Sequence, residues 1–369
     1  MHLVLFFTKY MSLKAWDQIG MLDREVAIYE RIRDKGITVS LITYGNSDDL
    51  AYRDRLQGIN ILCNRWGLPN SIYEKFLHRF YRKTLKSCDL IKTNQMNGAD
   101  VALRASQHWG KPLISRFGYM FSDHIARQYG DDSSHARKAR KLEQHIFKSA
   151  DRIVVTTKKM AKEIREGLPG VSGKIVVVPN YVEIDRFCPV DTKKDYDIIF
   201  IGRLANQKNP TALLDAVMKL KNRTIMIGDG PLEKELKEKY GNMNGRLEWM
   251  GNIPNSELPG YLSRSKMFIL VSHYEGHPKT LIEGMSCGLP VIGADSPGIR
   301  EIIRHGENGL LCEKNPGSIA QAIKQLLGDP ELVQRLGDNA RKFVLQNYAL
   351  EDIVAKELEI IKEVAALKI

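Results

Sequence analysis

Four charged side chains stand at spacings that suit a ligand with a diphosphate and several hydroxyls. Arg203 directly follows Gly202 at the end of an apolar run, and Lys208 lies five residues further on, just ahead of Asn209 and Pro210. Glycine at a strand end lets the backbone approach a phosphate, a helix N-terminus directs N–H groups at it, and the two cations neutralise it. Glu275 and Glu283 are eight residues apart and enclose Gly276, His277, Pro278, Lys279, Thr280, Leu281 and Ile282 after a second apolar run. Ionised carboxylates only accept hydrogen bonds, so one suits the hydroxyls of a sugar and the other those of a ribose. Pro278 is placed to open a helix, which puts Glu283 about one turn inside it and Glu275 in the loop before it. His273 and His277 bracket Glu275, and a third loop, Ala294-Asp295-Ser296-Pro297-Gly298, follows another apolar run.

The elements that must hold these residues read as two rounds of strand and helix. In the first, apolar runs at Leu3–Phe7, Thr38–Ile42, Ile59–Leu62, Leu90–Lys92, Pro112–Ser115, Ile153–Thr156 and Ile175–Val178 alternate with helical stretches. The segment Pro179–Tyr196 breaks the pattern as a hinge. Strands then resume at Asp197–Ile201, Thr224–Ile227, Arg246–Met250, Met267–Val271, Leu289–Ile292 and Gly309–Cys312, and Asn209 is expected to cap the helix after the first of them. Such alternation predicts an α/β chain of two Rossmann-like domains, residues 1–190 and 191–350, with a final helix over 351–369 returning to the first. Ligands of doubly wound sheets bind beyond the carboxyl ends of the strands, so the expected site is a cleft between the two domains.

Composition narrows the function classes. The chain has 369 residues, 43% of them apolar, and a formal net charge of +11. Residues 1–190 carry 31 Lys and Arg against 20 Asp and Glu, whereas residues 191–369 carry 24 of each. The whole excess therefore belongs to the first half, which points to an anionic surface or ligand for one domain alone. No apolar run reaches the ~18 residues of a membrane span, and Leu3–Phe7 is too short for a signal-peptide core, so a cytoplasmic location is expected, with room for peripheral attachment to the inner face of the cell membrane. The five cysteines lack metal-type spacing.

The ordered motifs Gly202-Arg203-Leu204 with Lys208, Gly228-Asp229-Gly230-Pro231, Glu275-Gly276-x-Pro278 with Glu283 and Gly284-Met285-x-Cys287-Gly288-x-Pro290-Val291, and Gly306-x-Asn308-Gly309 resemble those of the GT-B-fold retaining glycosyltransferases of family 4. The resemblance covers about residues 176–350. It implies a sugar transferred from a nucleotide diphosphate-sugar, with retention of configuration, to a glycan or lipid-linked acceptor in polysaccharide or glycolipid synthesis. It assigns Arg203 and Lys208 to the departing diphosphate, Glu275 to the donor sugar and Glu283 to the ribose. The backbone from Gly276 to Leu281 is assigned to sugar and phosphate, and the stretch Trp249–Ile253 to the base. No cofactor and no metal are expected, although Asp195-Tyr196-Asp197 spells a metal-binding DxD, because those aspartates precede a strand rather than follow one. A GT-B nucleotide-sugar epimerase and a basic nucleic-acid-binding protein are the alternatives; no nucleic-acid module is recognisable, and nucleic acid is not an expected partner.

In the first half the acceptor-side candidates are Arg116, Asp123 and His124. The stretch Lys75–Cys88 contains Lys75, Arg79, Arg82, Lys83 and Lys86 and no acid. Positions 73, 77, 80 or 81, and 85 make one apolar face, which either packs on the sheet with the charges solvated or sets the helix against an anionic membrane. Arg137–Lys148, with five basic residues to one acid, repeats the composition.

Overall fold

Uninterrupted runs of Leu, Ile and Val, rather than alternating ones, are what a parallel sheet covered on both faces requires. The computed structural model describes residues 1–367 and divides into two units, Met1–Pro179 with the chain from Ile353, and Asn180–Asp352. In the first unit β1 (His2–Phe6), β2 (Thr38–Ile42), β3 (Ile59–Leu62), β4 (Leu90–Thr93), β5 (Leu113–Phe117), β6 (Arg152–Val155) and β7 (Ile175–Val177) form one sheet. The order is β3-β2-β1-β4-β5-β6-β7 and all pairings are parallel. In the second, β8 (Tyr196–Ile201), β9 (Thr224–Ile227), β10 (Leu247–Trp249), β11 (Ser265–Leu270), β12 (Val291–Ala294) and β13 (Leu310–Cys312) run parallel in the order β10-β9-β8-β11-β12-β13. Both sheets lie between helices, and the innermost strands are fully buried, as Leu3, Val4 and Leu5 are in one and Ile198, Ile199 and Phe200 in the other.

Each strand order reverses once, between β1 and β4 in the first unit and between β8 and β11 in the second. At such a switch point the two connections leave on opposite faces and open a crevice at the carboxyl edge. The loops singled out by sequence, after β8 and after β11, flank the second of these points.

The division between the units falls after Pro179, earlier than the expected Val190, because the intervening residues pack on the second unit. Phe187 is 1% exposed, its carbonyl accepts from Ser286 Oγ and Arg341, and Val182 is bracketed by backbone bonds to Tyr348 and Leu350. Asn209 sits at the start of the helix Pro210–Met218 in a left-handed conformation (φ 54°), but its side chain does not cap: Nδ2 donates to the Lys314 carbonyl at 2.9 Å. The basic stretch is two helices, Asn70–Phe80 and Arg82–Ser87, with Tyr73, Leu77, Tyr81 and Leu85 buried and all five cations exposed. No described helix is long and apolar enough to cross a membrane.

Candidate active site

The site in the second unit is assembled from its backbone. Beyond β8 the chain runs through Gly202–Leu204 into a short 3-10 turn, Asn206–Lys208. Beyond β11 it forms the loop Ser272–Pro278, and the two are sewn together where His273 N donates to the Gln207 carbonyl (2.8 Å) and Gln207 Nε2 donates to the Tyr274 carbonyl (3.0 Å). That seam carries Lys208 to Glu275, with Nζ 2.6 Å from Oε1 and side-chain exposures of 18% and 8%. Sequence reasoning placed these residues in one site but missed Gln207, whose neighbours give no signal of its role.

Two further loops hold the seam from behind. Gly298 (φ +81°) lies so close that a Cβ would sit 2.3 Å from the Gly276 carbonyl oxygen and 2.4 Å from that of Glu275. Gly230 (φ +155°) meets the loop after β8 in the same way, its Cβ position being 2.4 Å from the Leu204 oxygen, while Leu204 N donates to the Asp229 carbonyl. Gly298 and Gly230 thus serve as close contacts between loops, which only a residue without a side chain allows.

Arg203 is exposed and its guanidinium makes no ion pair among the described residues, which leaves all its donors available. Gly202 lies beneath Lys208, with a Cβ position 3.7 Å from Lys208 Cε. The helix Lys279–Ser286 starts after Pro278, so Lys279, Thr280 and Leu281 form its first turn, and their N–H groups lie at the positive end of its dipole. Glu283 is 1% exposed and accepts from Asn255 Nδ2 at 2.9 Å; Asn255 in turn accepts from Arg186 at 2.6 Å. Asn255 is another residue the sequence does not reveal, since 28 positions separate it from Glu283. The His277 ring is buried edge-on to Tyr348 at 4.8 Å, and its carbonyl accepts from Asn180 Nδ2 at 2.6 Å, so this histidine is held in the framework of the loop. Burial, aided by Lys314, lowers the pKa of His273. Ile253 is half-buried against the core at the end of the segment after β10, where Asn252 Nδ2 donates to Asp229 Oδ2 at 2.6 Å.

The other candidates are distributed differently. Asp195 pairs with Arg264 Nε (2.6 Å) and Asp197 with Lys266 Nζ (2.8 Å), at the amino end of β8 and β11 and away from these loops. A surface pocket of about 510 Å³ lies at that same end, lined among others by Lys194, Cys287 and Arg341. Two of its cations are committed to carbonyls, Lys194 to Ser263 and Arg341 to Phe187 and Ser286. In the first unit Arg116 is a residue of β5 rather than of the loop beyond it, and its guanidinium reaches the Asn94 carbonyl at 3.4 Å. Asp123 is exposed in the helix Phe121–Tyr129, and His124 packs edge-on to Tyr119 at 5.6 Å.

Residues 182–343 match the family described as Glycosyl transferases group 1, and residues 26–186 match Glycosyltransferase Family 4. The chain belongs to glycosyltransferase family 4. This glycosyltransferase is 28% identical to an uncharacterised glycosyltransferase of Methanocaldococcus jannaschii, over 84% of this chain and 86% of the relative. It is 27% identical to N-acetyl-alpha-D-glucosaminyl L-malate synthase of Bacillus anthracis, over 81% of this chain and 74% of that one. Among solved structures, Anabaena HepE in complex with UDP is similar with a TM-score of 0.80 at 16% identity, covering 98% of this chain and 100% of its own. The fold of the transferase is GT-B, as the motifs implied.

Proposed function

We propose that the enzyme takes a sugar from a UDP-sugar and transfers it, with retention, to a glycan or lipid-linked acceptor in polysaccharide or glycolipid synthesis. The observation that carries this reading is the Lys208–Glu275 pair beside the unpaired Arg203 at the β8/β11 switch point. Arg203, Lys208 and the first turn of the helix Lys279–Ser286 face the diphosphate, while Glu275, with one oxygen on Lys208, offers the other to a sugar hydroxyl. Glu283 is the carboxylate for the ribose and Ile253 lies toward the base. The choice of UDP is supported by the HepE structures, which contain UDP and UDP-glucose.

In the transfer the C1–O bond to the β-phosphate breaks as the acceptor oxygen bonds to C1 from the same face, and the acceptor proton passes to the departing phosphate oxygen. Charge grows on the diphosphate, where the donors are already in place and need no reorganisation. No metal is required in this reading: Arg203 and Lys208 supply the positive charge, and both DxD aspartates are held in ion pairs. Calorimetric titration with UDP in EDTA should give one site, weakened at least about tenfold in Lys208→Ala. Binding of GDP or ADP in its place would replace the base, and silence with all three would overturn the donor assignment.

The first unit is proposed to rest on an anionic membrane. Trp66 (42% exposed) and Ile72 (43%) stand beside half-buried Phe76 and Phe80, with Trp66 and Phe80 rings 4.6 Å apart. Arg65 lies over Trp66, and Lys75 and Arg79 over Phe76. The buried face of these helices meets the helix Ala99–Trp109 while the outer face joins aromatics to cations, a composition that suits the headgroup region. Each cation contributes about 1 kcal/mol at an anionic surface. Vesicles of phosphatidylglycerol should sediment the protein and those of phosphatidylcholine should not, and Lys75, Arg79 and Lys83→Glu together should abolish the difference.

A further inference from the structure

The first unit has its own switch point, between β1 and β4, and its carboxyl edge collects side chains that no role above uses. Lys9, just past β1, places Nζ 3.1 Å from Glu74 Oε2 and 3.1 Å from Asp100 Oδ2. Glu74 comes from the helix Asn70–Phe80, and Asp100 from the first turn of the helix Ala99–Trp109. Each carboxylate spends one oxygen on the lysine. The other two, Glu74 Oε1 and Asp100 Oδ1, are buried with no hydrogen-bond partner among the described residues. Tyr44, two residues past β2, is 8% exposed and its hydroxyl is likewise unpartnered. Both carboxylates and Arg104 act electrostatically on that hydroxyl, and burial foremost pushes its pKa up, so it remains a neutral group able to donate and accept. Native proteins leave few buried polar atoms unpaired, and three in one cluster ask for a ligand that pairs them.

Beside the cluster stands Tyr10, with φ at +67° and 64% of its surface exposed. A bulky residue in the left-handed region is strained, and strain of this kind survives only where the surroundings enforce it. Here Lys9 N donates to the Asn97 carbonyl and Tyr44 N to that of Met11, which fixes the chain on both sides. The outcome is an exposed aromatic ring 6.2 Å from that of Tyr44, beside the polar cluster. The cluster reaches solvent at Asp100, whose side chain is 32% exposed.

Lys9 and Arg104 balance Glu74 and Asp100, so the cluster carries no net charge. A phosphate would meet two carboxylates, and an ammonium group two cations. Hydroxyls satisfy both free carboxylate oxygens as donors and the Tyr44 hydroxyl in either sense, while an aromatic face covers the C–H side of a ring. We propose that this crevice binds a neutral polyhydroxylated ring, a sugar or cyclic polyol, with Tyr10 as its platform and Glu74, Asp100 and Tyr44 as partners for its hydroxyls. That the ring belongs to the acceptor rests on the transfer reading above; that the crevice binds it does not.

Saturation-transfer NMR on the whole protein tests this, with glucose, N-acetylglucosamine and myo-inositol as neutral probes and glucose 6-phosphate and glucosamine as charged ones. At least one neutral probe should be saturated, and more strongly than either charged one. Tyr10→Gly removes the platform yet suits the left-handed backbone, so its Tm should stay within about 2 °C while the signal falls about fivefold or more. Tyr44→Phe, which keeps the packing and deletes one oxygen, should lower the signal at least about twofold. No binding of any neutral probe, stronger binding of a charged probe, or an undiminished signal in Tyr10→Gly would overturn the proposal. UDP titration of the same samples separates the two readings: UDP bound without sugar sinks only the crevice, and sugar bound without UDP sinks only the donor site.

Discussion

Arg203→Ala should slow transfer by roughly a hundred- to a thousandfold, the usual cost of losing one preorganised donor to a developing anion, or about 3–4 kcal/mol of transition-state stabilisation. The guanidinium is exposed and makes no ion pair among the described residues, so nothing in the framework depends on it. Melting temperature should therefore be unchanged, and the loss should appear in kcat more than in KM, as expected for a contact that strengthens only while the diphosphate departs. Glu275→Ala should lose activity on a similar scale for a different reason, because it removes a hydroxyl partner and also frees Lys208 from its 2.6 Å contact. The released ammonium can then bind diphosphate more tightly in the ground state. Transfer by Glu275→Ala should fall while its affinity for UDP holds or rises. Turnover near the wild-type rate in either variant would remove these residues from the catalytic centre.

What could be read from the chain and what could not divides along a physical line. The strands were legible because buried parallel strands are short apolar runs with turn residues after them, and Thr38–Ile42, Ile59–Leu62 and Thr224–Ile227 occur at the expected bounds. The loops after β8 and β11 were legible because cations and carboxylates directly past a buried strand need a reason to be there. Asn255 and Gln207 were not, since an amide is unremarkable in any loop until the fold sets it against Glu283 or Tyr274. The hinge composition of Pro179–Tyr196 marked a boundary without saying which unit owns its apolar residues, and Phe187 and Val182 settle that by packing on the second. Tyr10 gave no signal either, because a left-handed φ belongs to the backbone and leaves no trace in residue type.

Lys92 is the sharpest case of a residue whose role depends on distant chain. In sequence it is a lysine near a strand end; in the fold it is 1% exposed on β4, with Nζ 2.6 Å from Oε2 of Glu357, equally buried and 265 positions away on the helix Leu350–Ala366. Burial lowers the lysine's pKa and Glu357 opposes that, so the acid is what keeps an ammonium tolerable there. Removing one member of such a pair strands a buried charge and costs about 3–5 kcal/mol, whereas replacing both by apolar residues is often neutral or stabilising. Glu357→Leu should therefore lower the melting temperature of the first unit by roughly 10 °C, at about 2–4 °C per kcal/mol for a unit of this size. Lys92→Met with Glu357→Leu should recover most of it. The pH dependence has a defined sign. With the folded pKa of Lys92 below the usual 10.5, the unfolded chain binds more protons between the two values, so stability rises with pH across that window. Glu357→Leu widens the window downward, and its melting temperature should climb toward that of the double variant as pH is raised toward 10.5. A single variant as stable as the double one at neutral pH would show that the helix is held by its apolar face alone.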